Sequence, residues 1–91
     1  MKQSIVVPQD VIFRVLEDEA VLLNLKTGTY FGLDAVGTRV WQLIVERGAL
    51  ADVLQAMLQE YEVDPGVVER DLLDLVGRLC AKGLAEVGPG N

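Results

Sequence analysis

Val21-Leu22-Leu23-Asn24-Leu25-Lys26-Thr27-Gly28-Thr29-Tyr30-Phe31-Gly32-Leu33-Asp34 contains two strand-like runs around a break, and its last residue marks a change of period. β-Branched and aromatic residues suit a pleated surface. Lys26-Thr27-Gly28 supplies the break, with Gly28 free to adopt a positive φ. Upstream, Val11–Leu16 is a further run of this kind, separated from the next by the acidic Glu17-Asp18-Glu19. Strands are therefore predicted near Val11–Leu16, Ala20–Leu25 and Thr29–Leu33, as an antiparallel meander.

Downstream of Asp34 the apolar period moves from two toward 3.6. The Asp34 carboxylate can accept from the free amides of a first helical turn. Val36, Val40, Leu43 and Ile44 fall on one face, Arg47 suits the negative helix end, and Gly48 suits the C-cap, giving a helix over about 35–47. Leu50, Val53, Leu54, Met57, Leu58 and Tyr61 mark a second over about 50–61. A third begins with Asp64 as N-cap and Pro65 in the first position, with Val63 placed to staple onto Val68. Its stripe is Val68, Leu72, Leu75, Val76 and Leu79, and Gly83 stops it. Leu84–Val87 then returns to the core or pairs as a short strand, and Gly88-Pro89-Gly90-Asn91 should fray. The expected fold is α+β, a three-stranded antiparallel sheet followed by three helices, winged-helix-like with the wing first. One domain is expected over 1–91, with its core at about 11–87.

A chain of 91 residues has room for one core, and its 51% hydrophobic content is too high for disorder. No run approaches the roughly 18–20 apolar residues of a membrane span, and the N-terminal apolar stretch is too short for a signal peptide, so a cytoplasmic location is expected. The net charge of −6 and the scattered basic residues oppose a role on nucleic acid, where phosphates must be neutralised. The same charge opposes a membrane surface.

Catalytic chemistry is hard to build from these residues. There is no histidine to act as a base near neutral pH or as a zinc ligand, and the single cysteine, Cys80, reads as a small core residue. Ser4, the only serine, has no histidine to activate it. The acidic groups Glu17-Asp18-Glu19 and Glu60/Glu62/Asp64 fall at turns and helix ends, where solvated or capping roles suffice. Gly28, Gly32 and Gly37 do not make a phosphate-binding loop. The chain is read as a non-enzyme with no cofactor and no metal.

The opening stretch also carries a resemblance. Val21 to Asp34, then Val36-Gly37-Thr38-Arg39-Val40-Trp41, Tyr61-Glu62-Val63-Asp64-Pro65, Asp71-Leu72-Leu73 and Lys82-Gly83-Leu84 resemble, in order, the signature of PqqD-like proteins over about residues 11–87. Two departures are mild. Asp34 stands where the family often has Asn, and Ala49-Leu50-Ala51 lacks the Ser or Thr that often opens the second helix, a loss of about 1 kcal/mol.

The resemblance implies a RiPP recognition element, which captures the leader segment of a ribosomally made precursor peptide by β-strand addition and presents the core segment to modifying enzymes. The implied enzymes are a leader protease and cyclase, as in lasso-peptide maturation, or a radical-SAM enzyme. Carried over, the pairing edge is Thr29, Tyr30, Phe31, Gly32 and Leu33, and the facing helix offers Val68, Asp71, Leu72 and Leu75.

Each of these residues also has a structural reading. Phe31 and Leu33 share a strand face, so at least one belongs to the core, and Tyr30 faces the other way. Leu72 and Leu75 lie on the stripe and can be internal. Asp71 either meets a leader amide or is solvated, and Trp41 fits packing better than recognition. Gly32 permits close backbone approach or marks a bulge. Two other functions fit the same fold. One is a winged-helix nucleic-acid binder, which the charge opposes: the third helix carries Glu69, Asp71 and Asp74 beside Arg70 and Arg78. The other is a homodimer that uses the exposed strand edge on itself.

Overall fold

Period-two alternation sends Val11, Ala20, Leu22, Asn24 and Leu33 to one buried face of a three-stranded sheet, and the helices cover that face. The computed structural model describes residues 3–89. Its strands are β1 (Gln3–Val6), β2 (Val11–Leu16), β3 (Glu19–Asn24), β4 (Tyr30–Leu33) and β5 (Glu86–Pro89). Its helices are α1 (Ala35–Arg47), α2 (Leu50–Glu60) and α3 (Pro65–Ala81). The main sheet has the order β2-β3-β4 and is antiparallel throughout. The fold is α+β as expected, and the winged-helix likeness goes no further than this order of elements.

The helix signals act as the residue chemistry requires. The Asp34 side chain accepts from Gly37 N at 2.8 Å and caps α1, and Asp64 accepts from Gly66 N at 2.8 Å and caps α3. Gly48 follows α1 at φ 75°. Val40, Leu43 and Ile44 of α1, Leu50, Val53 and Met57 of α2, and Val68, Leu72, Val76 and Leu79 of α3 are all buried in one core. Trp41 is fully buried, with the Phe13 ring edge-on at 5.6 Å, so it packs. Its indole N–H finds no acceptor among the described residues.

The structure corrects several expectations. The third strand begins at Tyr30, leaving Thr29 in the preceding turn. Tyr61 ends α2 with extended backbone outside the helix. Val36, expected on the buried stripe of α1, is 49% exposed, because Gly37 and Trp41 take the inward positions around it. Cys80 is only half-buried at the core margin, where loss of solvation and then Glu86 push its thiol pKa up.

A second sheet of two strands joins β5, in line with the return or short strand expected of Leu84–Val87, to β1, which the sequence does not signal. β1 pairs antiparallel with β5, from Gln3↔Pro89 to Val6↔Glu86, and its Ile5 enters the core. Gly88 and Pro89 thus belong to a strand instead of a frayed end, whereas the fraying expected of Gly90 and Asn91 concerns residues outside those described. Leu84 and Ala85 are buried just before β5. Among the described residues, no helix is long and apolar enough to cross a membrane.

Candidate functional site

The turn after β3 fixes β4 against the end of α3, and Asn24 makes the connection. Its side chain is buried; Nδ2 donates to Gly83 O at 2.7 Å, and Oδ1 accepts from Lys26 N at 2.9 Å and Thr27 N at 3.1 Å. One amide thereby satisfies the turn it sits in and the carbonyl of the glycine that closes α3. A Cβ on Gly83, whose φ is 71°, would lie 3.2 Å from that Nδ2. The approach needs a glycine.

Backbone alternation then decides which groups of β4 are free. Asn24 N donates to Thr29 O at 2.8 Å, so Asn24 and Thr29 form a hydrogen-bonded pair. In an antiparallel ladder such pairs alternate. Phe31 and Leu33 therefore bond to Leu22 and Ala20, while the N–H and C=O groups of Tyr30 and Gly32 point away from the sheet. Among the described residues no strand pairs on that side. The register from Ala20↔Leu33 to Leu23↔Tyr30 is unbroken, so Gly32 does not mark a bulge.

Alongside this edge runs a groove of about 370 Å³ between β4, α1 and α3. Seven of the nine residues expected at the site line it: Phe31, Gly32, Leu33, Val68, Asp71, Leu72 and Leu75. Leu33, Val68 and Leu72 are largely buried and form its floor, whereas Phe31 and Leu75 are half-buried and offer apolar surface. Asp71 is an exposed wall residue. Tyr30 is 73% exposed on the opposite face, and neither it nor Thr29 lines the groove; Tyr30 contributes only edge backbone.

Asp34, Val36, Gly37, Val40, Met57, Tyr61, Val63, Val67 and Arg78 also line it, none of them assigned to the site by the sequence. Two of these had a signal. Val67 lies four residues before Asp71, and Arg78 three after Leu75, so extending the helical face by one turn each way reaches both. Val63, expected to staple against Val68, is instead 47% exposed at the groove.

Charge divides along the groove. Lys82 Nζ lies 5.8 Å from the Phe31 ring centroid, and Arg78 pairs with Asp74 one turn back, Nε to Oδ2 at 3.0 Å. Both mark the end where β4 begins. Away from the groove, Arg39 joins α1 to the end of α2 through two 2.8 Å contacts to Glu60, which hold the Glu60 carboxyl below its usual range and raise Arg39. The pair's support is present above the ordinary glutamate pKa and is lost as pH falls through the lowered value. At so exposed a site it amounts to less than about 1 kcal/mol.

Residues 19–85 match the family described as Coenzyme PQQ synthesis protein D (PqqD). No curated protein matches the chain. Two solved structures do. One is TbiB1 in complex with the TbiA(beta) leader peptide, at 46% identity and TM-score 0.84, over 88% of this chain and 93% of that one. The other is a lasso peptide synthetase B1 complexed with the leader peptide, at 28% identity and TM-score 0.80, over 91% of this chain and 98% of that one.

Proposed function

The chain belongs to the PqqD family, and we propose that it captures the leader segment of a ribosomally made precursor peptide as an added strand on β4 and presents the rest of that peptide to modifying enzymes. The observation that carries this reading is the open edge of Tyr30 and Gly32 running beside an apolar groove. The two similar structures hold leader peptides, which supports the same use of this fold. On this reading the chain is a single non-catalytic module of the cytoplasm, and its site is Tyr30–Leu33 with Val68, Asp71, Leu72 and Leu75, Thr29 lying in the turn before the edge. Its enzyme partners are a leader protease and a cyclase, since the similar structure named for its pathway is a lasso peptide synthetase B1. That likeness favours lasso maturation over radical-SAM chemistry.

The energetics identify which residues must carry specificity. Four outward backbone groups on Tyr30 and Gly32 give about four hydrogen bonds of roughly 1 kcal/mol each. Ordering a flexible leader costs roughly 2–5 kcal/mol. Backbone pairing therefore cancels, while micromolar binding needs about −8 kcal/mol. Two or three leader side chains must enter the groove, each contributing about 1.5–3 kcal/mol when buried. Phe31, Leu75, Val67 and Tyr61 are the surfaces that receive them.

The test is a fluorescence-polarisation titration with the labelled leader of the precursor encoded beside this gene, against a scrambled leader. Low-micromolar or tighter binding to the true leader alone is expected. Equal binding to both peptides, or to neither by a folded protein, removes the capture reading.

A further inference from the structure

β4 borders a second concavity, also of about 370 Å³, on the face of the sheet turned away from the helices. Val21 and Gly32 line it together with the acidic residues Asp18, Glu19 and Asp34, the last of which borders the groove as well. Among the described residues, no lysine or arginine lines it, and a Cβ built on Gly32 meets no atom within 4 Å, its chain neighbours aside. Asp34 spends one oxygen on capping α1, and among the described residues Asp18 and Glu19 form no ion pair. The three carboxylates are not grouped to hold a metal ion, again among the described residues.

Resting on the leader-capture reading, we infer that this hollow is the slot for a cationic leader side chain: a lysine or arginine at the position paired with Gly32, or two residues further toward Asp34. The geometry follows from strand addition. Directly paired residues of neighbouring strands share a face, as do residues two apart. The leader residue opposite Gly32 must therefore project onto the outer face, while the residues on either side of it project with Phe31 and Leu33 into the groove. A long aliphatic stem can cover Val21 and the bare Gly32 backbone while its charged head reaches Asp18 and Glu19. Gly32 leaves room for that stem.

Charge complementarity sets the direction as well. The acidic residues lie where β4 ends, and Lys82 and Arg78 lie where it begins. If the leader adds antiparallel, as every pair in this sheet does, its cationic residue precedes the apolar residue that enters the groove opposite Phe31, and an acidic residue suits the segment that follows. Exposed charges act modestly and are screened by salt, so this slot selects among leaders without supplying the bulk of affinity.

The experiment titrates the labelled leader of the adjacent precursor against the unaltered protein and an Asp18→Asn/Glu19→Gln variant, at low salt and at 0.5 M NaCl. Weakening by about three- to tenfold at low salt, shrinking to near nothing at high salt, is expected. A Glu46→Gln/Asp52→Asn control makes the same net-charge change outside both concavities and should stay within about twofold. A leader whose lysines and arginines at those positions are changed to Gln should bind the unaltered protein as weakly as the variant binds the original leader. This arm does not depend on how the variant folds. Unchanged affinity in the Asp18/Glu19 variant, or an equal loss in the control, overturns the slot while leaving leader capture intact. If the unaltered protein binds no leader, capture fails and the slot falls with it.

Discussion

Among the described residues the main sheet has two open edges, β2 and β4, and the longer one is not the better site. β2 offers six residues. Leu25 N donates to Asp10 O at 2.8 Å, and alternation from that pair turns the backbone groups of Val11, Phe13 and Val15 outward, although Val11 N is bonded to Pro8 O. β4 has four residues and offers only Tyr30 and Gly32. Yet β4 alone lies beside α3 with a concavity on each face, whereas none of the residues of β2 lines either concavity. Free backbone is common to both edges and its net contribution is nearly cancelled by the ordering of the added strand. Pockets for side chains make the difference.

The sharpest way to break this comparison is to place a proline on each edge. Gly32→Pro removes an outward donor and obstructs pairing, and should weaken leader binding by at least about thirtyfold. Val15→Pro removes an equivalent donor from β2 and should leave affinity within about twofold. Polarisation titrations of the two folded variants compare the edges directly, and a larger loss at Val15 would reverse the account. Leu75→Asp places a charge in the groove wall and should cost about 2 kcal/mol of binding, near thirtyfold, with the far-UV spectrum retained. Unfolding of that variant would move Leu75 from the groove to the core.

Smaller effects fall on stability. Asn24→Ala leaves the Gly83 carbonyl and two turn amides without their partner, and should lower unfolding free energy by about 1–3 kcal/mol in urea titrations. Because it also frees β4 from α3, it should loosen leader binding. Glu17 holds a positive φ of 59° in the turn leaving β2. Glu17→Gly should relieve that strain and raise stability by roughly 0.5–1 kcal/mol, with no change in leader affinity. An affinity change there would tie the β2 side of the sheet to the site.

What was legible in the sequence divides along local and long-range lines. Asp34, Gly48, Asp64 with Pro65, and Gly83 act within a few residues of themselves, and the helices they delimit lie where the sequence places them, apart from Tyr61. The β2-β3-β4 meander was likewise readable, because alternation and turn residues are local. β1 was not: Ser4-Ile5-Val6-Val7 has no alternation, and its partner β5 lies at the other end of the chain. The same limit explains the site. Period two distinguishes the face of Phe31 and Leu33 from that of Tyr30, and the α3 face of Val68, Asp71, Leu72 and Leu75 follows from its helical repeat. Val36 and Val63 look like core residues by type, and only their tertiary placement exposes them to the groove. Asn24 gave no sign that it holds Gly83, a contact made 59 residues away.

Amide hydrogen exchange by NMR, with and without the leader of the adjacent precursor, tests strand addition most directly. The Tyr30 and Gly32 amides should slow by at least about tenfold on binding while those of Phe13 and Val15 keep their rates. Saturating leader that leaves Tyr30 and Gly32 unprotected, or that protects Phe13 and Val15 instead, would contradict capture at the β4 edge.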